Sequence, residues 1–274
     1  MPTIGLLPYL NVKPLSYLLE REPLPQGWNL VYAPPSRLAE MLREGEICTA
    51  PVSTFACFSD PQLSIVPGVC IASHGKATSV LVFSKKPIQE VSTIALDSGS
   101  LSGASMLKVI LAERYGINPE FVSHEPDVDS MLGGNDACLM LGDKAMQYNE
   151  LRSHGLHVMD LGQEWLELTG LPAVFAVWAV TKDAPLNELI PLLMRSKEQG
   201  IRRIEEIAAL EHEALGLPYH VCRDYLASVM VYDLGEQEEE SLRVFSRKVY
   251  DHGLVERPVQ LSFAELSPSV GGRK

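Results

Sequence analysis

Short apolar runs with strand character recur along the chain, at residues 3–7, 30–33, 63–72, 79–84, 94–96, 120–123, 137–141, 157–161 and 173–180. Between them apolar positions return at helical spacing. Residues 36–44 put Leu38, Met41 and Leu42 on one side, and residues 102–115 repeat Met106, Leu107, Ile110 and Leu111 before Gly116, a residue suited to the left-handed position that ends a helix. Alternation between periods near 2 and 3.6 predicts an α/β fold with largely covered sheets.

Two runs stand apart. SVLVFSKK at 79–86 and AVFAVWAVTK at 173–182 are the most strand-like in the chain, and they bracket a complete α/β unit. As crossing strands they make residues 84–176 an inserted second lobe, with residues 1–83 and 177–274 forming the first, and leave a ligand cleft between the two. After residue 182 the strand patterns stop. Helical patterns follow at 186–215, broken at Gly200, and near 221–232 and 237–250, with Glu236, Glu238, Glu239 and Glu240 at the positive end of the last helix dipole.

Composition narrows the classes. With 274 residues, 46% of them hydrophobic, the chain can bury a large core. Its formal charge of -12 makes the average surface repel nucleic acid and anionic membranes, while leaving a local site for a small anion. No run reaches the roughly 18 apolar residues of a membrane span, and the N-terminus MPTIGLLPYLNVKPL lacks the charged and apolar regions of a secretory signal, so a cytoplasmic protein is expected. Five cysteines without a CxxC pair read as reduced core thiols, not as a disulfide framework or a zinc site.

The most informative local feature is DSGSLSGAS at 97–105, which leaves the strand TIAL and enters a helix. Its backbone N–H groups, with the hydroxyls of Ser98, Ser100 and Ser102, can converge at the helix N-terminus and attract a carboxylate or phosphate. The simpler alternative is one serine capping the helix. YLNVKP at 9–14, PVST at 51–54 and SHGKATS at 73–79 follow or precede apolar runs in a comparable way and point to the same cleft. Within them, Asn11 offers an uncharged donor and acceptor or serves as a turn residue, Pro14 suits a first helical turn, and Lys13 and Lys76 either counter anionic oxygens or sit solvated. His74 is the histidine inside a candidate loop.

GxGxxG after the first strand, GxxxxGK[ST], GxSxG and HExxH are all absent from the sequence. His154 and His157 flank a turn rather than forming a metal pair, and Asp97 and Asp160, each near a strand end, could approach one another across the cleft, although nothing in the sequence brings them together. The residues therefore favour a neutral, hydroxyl-rich anion pocket over a metal or nucleotide site.

Taken in order, YLNVKPL, APVST, SHGKATSVLVFSKKPI, IALDSGSLSGASMLKVIL and DLGQEWLELTGLPAVFAVW resemble the chorismate dehydratases of the futalosine route to menaquinone, over nearly the whole chain. The resemblance implies a fold like that of type II periplasmic binding proteins, with two lobes joined by crossing strands. It implies removal of water from chorismate to give 3-[(1-carboxyvinyl)oxy]benzoate, with no cofactor or metal. It also implies Asn11 as a polar active-site residue, and substrate carboxylates held by the loop from Asp97 through Ser98 and Ser100 to Ser102, together with Ser79 and Thr54; Ser53, His74 and Thr78 are further candidates. Leu101-Ser102 stands where related sequences often carry Thr-Ser. Two alternatives remain: a sister lyase of the same pathway that releases a dihydroxynaphthoate and needs a histidine base, here His74, and a solute-binding protein for a small organic anion.

Overall fold

The structure, a computed structural model, describes residues 1–151 and 155–265. Its strands are β1 (Thr3–Leu6), β2 (Asn29–Tyr32), β3 (Thr49–Ser53), β4 (Ser64–Ser73), β5 (Val80–Ser84), β6 (Thr93–Asp97), β7 (Glu120–His124), β8 (Ala137–Leu141), β9 (His157–Asp160), β10 (Ala173–Val180) and β11 (Met230–Val231). The helices are α1 (Lys13–Arg21), α2 (Pro35–Arg43), α3 (Thr54–Ser59), α4 (Ser102–Ile110), α5 (Val128–Gly134), α6 (Gly142–Leu151), α7 (Leu161–Thr169), α8 (Leu186–Ile201), α9 (Ile204–Leu215), α10 (Tyr219–Asp224) and α11 (Glu236–Asp251).

The strands form two sheets with one plan. A six-stranded sheet runs β11-β4-β10-β3-β1-β2 and a five-stranded sheet runs β7-β6-β8-β5-β9. In the first, β1 is parallel to β2 and β3, and β10 enters antiparallel between β3 and β4; in the second, β6 is parallel to β7 and β8, and β5 enters antiparallel between β8 and β9. These two antiparallel strands are the runs singled out in the sequence. Every residue of β5 is buried, because a central strand covered on both faces needs apolar side chains without alternation.

Each of the two runs stays inside one sheet rather than spanning both. The chain changes sheets beside them, through residues 74–79 ahead of β5 and through α7 ahead of β10. The first passage cannot continue as a strand, because Gly75 and Thr78 take positive φ of 101° and 56°.

One carboxylate binds the two passages together. Asp160, at the N-cap of α7, accepts from the N–H groups of Ala77 and Thr78 at 2.8 Å each, and from those of Gly162 and Gln163 in its own helix. The approach is so close that a Cβ on Gly162 would lie 2.3 Å from the Gly75 carbonyl oxygen.

Other differences from the sequence pattern have local causes. The helix after α4 passes into a π turn at Leu111–Tyr115 and ends at Gly116 in the left-handed region, as expected. The break expected at Gly200 falls instead at Arg202 and Arg203, between α8 and α9. Gly200 lies within α8 because α1 crosses there: a Cβ would sit 1.9 Å from the Pro14 carbonyl oxygen. The same crossing is tied by Ser196, whose hydroxyl donates to Leu15 O at 2.7 Å and accepts from Leu18 N–H at 3.2 Å. Strands do not stop at residue 182: Met230 and Val231 pair with Ser73 and Ala72. A two-residue strand is too short to show a period of 2, and a π turn at Tyr225–Val229 precedes it. The acidic run does open α11, with Glu238 accepting from the N–H of Gly235. All five cysteines are free, and all but Cys48 are buried.

Gly200→Ala is expected to lose at least about 3 kcal/mol of stability, since a backbone carbonyl cannot move aside cheaply. Gly116→Ala should lose only about 1–2 kcal/mol, the cost of a left-handed alanine. Urea unfolding of both variants checks the order, and equal losses would contradict the packing described here.

Candidate active site

The carboxyl ends of the strands open onto a cavity of about 440 Å³ between the two sheets. Its position follows from the architecture, because strand ends in such sheets leave backbone groups and helix starts facing a crevice. The first sheet supplies Tyr9 and Asn11 from the turn after β1, Ser53 at the end of β3, and Phe175 from β10. The second supplies Ser79, Asp97, Leu101, Ser102, Asp143 and Lys144. Much of the rest is apolar, including Leu7, Val12, Ile71 and Val80.

Asn11 lies in a single 3₁₀ turn, Leu10–Val12, just ahead of α1. Its Oδ1 is buried and has no hydrogen-bond partner, an uncommon state for a buried acceptor. Ser79 is 2% exposed and its Oγ accepts from the hydroxyl of Tyr225 at 2.9 Å. The structure thus brings Asn11 and Ser79 to one cavity, with Tyr225 behind them.

The serine loop divides. Ser102, the first residue of α4, faces the cavity and joins Ser53: their hydroxyls are 2.7 Å apart, and the N–H of Ser102 donates to Ser53 Oγ at 3.1 Å. The N–H of Phe55, in the first turn of α3, donates to Ser102 Oγ, so the starts of α3 and α4 meet across the two sheets. Ser100 is buried and caps α4 from within, its Oγ accepting from the N–H of Ala104 at 3.1 Å. Ser98 is exposed and lies outside the cavity wall.

Of the remaining candidates, Thr54 is fully buried and donates to the Val174 carbonyl at 2.9 Å, away from the cavity wall. Thr78 gives its N–H to Asp160, and His74 is exposed; neither lines the cavity. Asp160 is likewise occupied by its backbone donors, so Asp97 and Asp160 do not form a carboxylate pair in the cavity. Lys13 pairs with Glu20 and Glu211, and Lys76 is exposed. His154 lies outside the described residues, His157 is exposed, and the described residues contain no cluster of three or more metal-ligating side chains.

Sequence reasoning passed over Asp143 and Tyr225. Asp143 follows β8 directly, at the start of α6, and both its oxygens accept from the N–H of Leu10 at 3.3 Å. Burial pushes its carboxyl from 3.8 up to about 6. Burial also raises Asp97, against the opposing hydrogen bond from the Gly99 N–H. The strand-end rule that picked out the 97–105 loop applies equally to Gly142-Asp143-Lys144, where Gly142 turns the chain with φ of 64°. Tyr225 had no such signal, as it sits in a helical pattern far along the chain.

The family model for menaquinone biosynthesis matches residues 2–251. The chain belongs to the menaquinone-biosynthesis family. It is 29% identical over 259 residues to a chorismate dehydratase from Thermus thermophilus, covering 89% of this chain and 93% of that protein. A chorismate dehydratase from Campylobacter jejuni is 25% identical over 246 residues, covering 88% and 94% of the two chains. Among solved structures, a protein from Archaeoglobus fulgidus superposes with a TM-score of 0.74 at 17% identity, covering 92% of this chain and 98% of its own. The periplasmic aliphatic sulphonate binding protein of Escherichia coli gives a TM-score of 0.65 at 17% identity, covering 100% and 97%. This member of the family therefore has the fold of the periplasmic binding proteins, as the sequence resemblance implied. No described helix is long and apolar enough to cross a membrane.

The raised Asp143 carboxyl fixes the sign of a pH effect. Between pH 3.8 and about 6 the folded protein holds a proton that the unfolded chain has lost, so stability falls as pH rises through this window. Asp143→Asn removes that ionisation and keeps an acceptor for Leu10. The variant is expected to be more stable than the parent by on the order of 1–3 kcal/mol near pH 8, with the difference vanishing below about pH 4. Thermal unfolding across this range checks it, and a pH-independent difference would contradict it.

Proposed function

We propose that the protein is a chorismate dehydratase, a carbon-oxygen lyase working in the cytoplasm without a cofactor or metal, whose two sheets form two lobes around the substrate. The observation that carries this reading is a cavity lined by Asn11, whose Oδ1 is buried without a partner, together with the hydroxyl residues Tyr9, Ser53, Ser79 and Ser102, in a chain of the menaquinone-biosynthesis family.

Chorismate carries a ring carboxylate and an enolpyruvyl carboxylate, and its C3 hydrogen is acidified by conjugation with the former. Loss of the C3 proton and the C4 hydroxyl makes the ring aromatic, so the driving force lies in the substrate. The protein has to hold both carboxylates, align the breaking bonds and stabilise charge as it forms. In our reading Ser79, Ser53 and Ser102 bind carboxylate oxygens, with Lys144 as the nearby cation. Asn11 Oδ1 accepts from the ring hydroxyl or aligns the enolpyruvyl group. The elimination is stepwise: the C3–H bond breaks first, its proton passes to the enolpyruvyl carboxylate, and the C4–O bond then breaks as that proton leaves with the hydroxyl as water.

One observation favours a second assignment of the base. Asp143 lines the cavity with a carboxyl near 6, a strength suited to proton abstraction near neutrality. The exposure of His74 outside the cavity wall argues against the sister lyase, which needs a histidine base there. Family membership argues against a solute-binding protein.

Incubation with chorismate, followed by mass and ultraviolet detection, should give an aromatic product lighter by one water. Asn11→Ala is expected to lose most turnover and His74→Ala to keep it. Asp143→Asn should stay within about tenfold of the parent; a loss of about 10²–10⁴ would move the base from the substrate to Asp143. Binding of chorismate without any product would overturn the dehydratase reading.

A further inference from the structure

Along a regular strand successive side chains face opposite ways, so a cavity on one side meets every second residue. β10 departs from this. Phe175 and Ala176 both line the cavity and both are half-buried, while the rest of the strand is buried. The cause is a β-bulge: Val174 pairs with Ala72 and Ala176 with the neighbouring Ile71, which leaves Phe175 without an opposite residue on β4. Bulges bend a strand and re-aim a side chain, and they recur beside active sites. This one is pinned from its other edge. β3 ends at Ser53, opposite Ala176, and the next residue, Thr54, opens α3. The Thr54 hydroxyl donates to the Val174 carbonyl at 2.9 Å and so takes the place of the strand that has turned away.

We propose that Phe175 recognises the ring of the ligand as an aromatic platform, and that Thr54 is a positioning residue that holds the bulge presenting it. The proposal rests on the dehydratase reading, in which Ser53 binds a carboxylate and the ring becomes aromatic. Ser53 lies directly opposite Ala176, one residue from Phe175. Facing residues of paired strands stand about 5 Å apart, so a ring whose carboxylate reaches Ser53 comes within contact of Phe175. Ile71 and Ala176 make the neighbouring wall apolar. Loss of water flattens the ring, and an aromatic face stacks better on a planar π system than on a puckered diene. Phe175 therefore favours the aromatic product, and the transition state that approaches it, over chorismate. Thr54, fully buried and away from the cavity wall, serves the site through the Val174 carbonyl.

The test is calorimetric binding of 3-[(1-carboxyvinyl)oxy]benzoate to the full chain. Phe175→Leu, apolar but without a ring, is expected to bind it about 3–10-fold more weakly with KM for chorismate within about twofold, and Phe175→Tyr to stay within about twofold of the parent. Unchanged product affinity in Phe175→Leu, an equal loss for chorismate, or an equal loss in Phe175→Tyr would overturn the proposal. Thr54→Val removes the hydroxyl and keeps the shape. It should weaken product binding by a similar factor, add little to the loss in Phe175→Leu, and be rescued in Thr54→Ser. Losses that multiply fully would overturn the positioning role. Should Thr54→Val not fold, Thr54→Cys, whose thiol is a weaker donor, replaces it with a loss expected in the same direction. A simpler ligand pair separates this proposal from the dehydratase reading. If the parent fails to convert chorismate, that reading falls, while a preference for benzoate over cyclohexanecarboxylate that disappears in Phe175→Leu still supports the platform. No such preference, or binding of neither acid, would overturn it.

Discussion

The site depends on the carboxylate of Asp160. Four backbone N–H groups converge on it, two from the passage that leaves the first sheet and two from the start of the helix that leads back. Charge-assisted bonds of this kind are stronger and shorter than neutral ones, and here they fix two chain segments that would otherwise be free to part. Gly162 lacks a side chain because the passages nearly touch. Thr78 accepts a positive φ in the same turn, and the next residue is Ser79, which enters the cavity. Asp160 thus bears on the site through the backbone that brings Ser79 to the cavity wall.

The cavity reconciles an acidic chain with the anionic ligand proposed for it. A formal charge of -12 would repel such a ligand if it were spread evenly around the site. Instead the polar wall is mostly hydroxyl and amide, Lys144 is present, and burial pushes both Asp97 and Asp143 toward the protonated form. The apolar remainder of the wall strengthens each hydrogen bond made inside it and raises the cost of any group left unpaired. Asn11 Oδ1 is such a group, and a substrate hydroxyl would satisfy it.

Much of the fold was legible because sheets covered on both faces write long apolar runs into the chain, as in β5 and β10. What escaped had physical reasons. β3 carries Pro51, which breaks the strand pattern, and β11 is only two residues long. Gly200 reads as a helix breaker until its contact with Pro14 is seen, since sequence carries no record of which backbone lies opposite. In the site, the strand-end loops and the family resemblance together pointed to Asn11, Ser53, Ser79, Asp97 and Ser102, all of which line the cavity. Neither could separate the serines that line the cavity from Thr54 and Ser100, whose hydroxyls serve neighbouring backbone groups. Tyr225 was invisible because its hydrogen bond to Ser79 is a tertiary contact that no local pattern records.

In the proposed reaction a dicarboxylate occupies the cavity against Asn11 and Ser79. A crystal structure with 3-[(1-carboxyvinyl)oxy]benzoate bound tests it most directly. The expected result is the ligand between the two sheets, with a carboxylate oxygen within hydrogen-bond distance of Ser79 and the edge of the ring against Asn11, while Tyr225 still donates to Ser79. A ligand bound elsewhere, or one in this cavity that touches neither residue, would contradict the account.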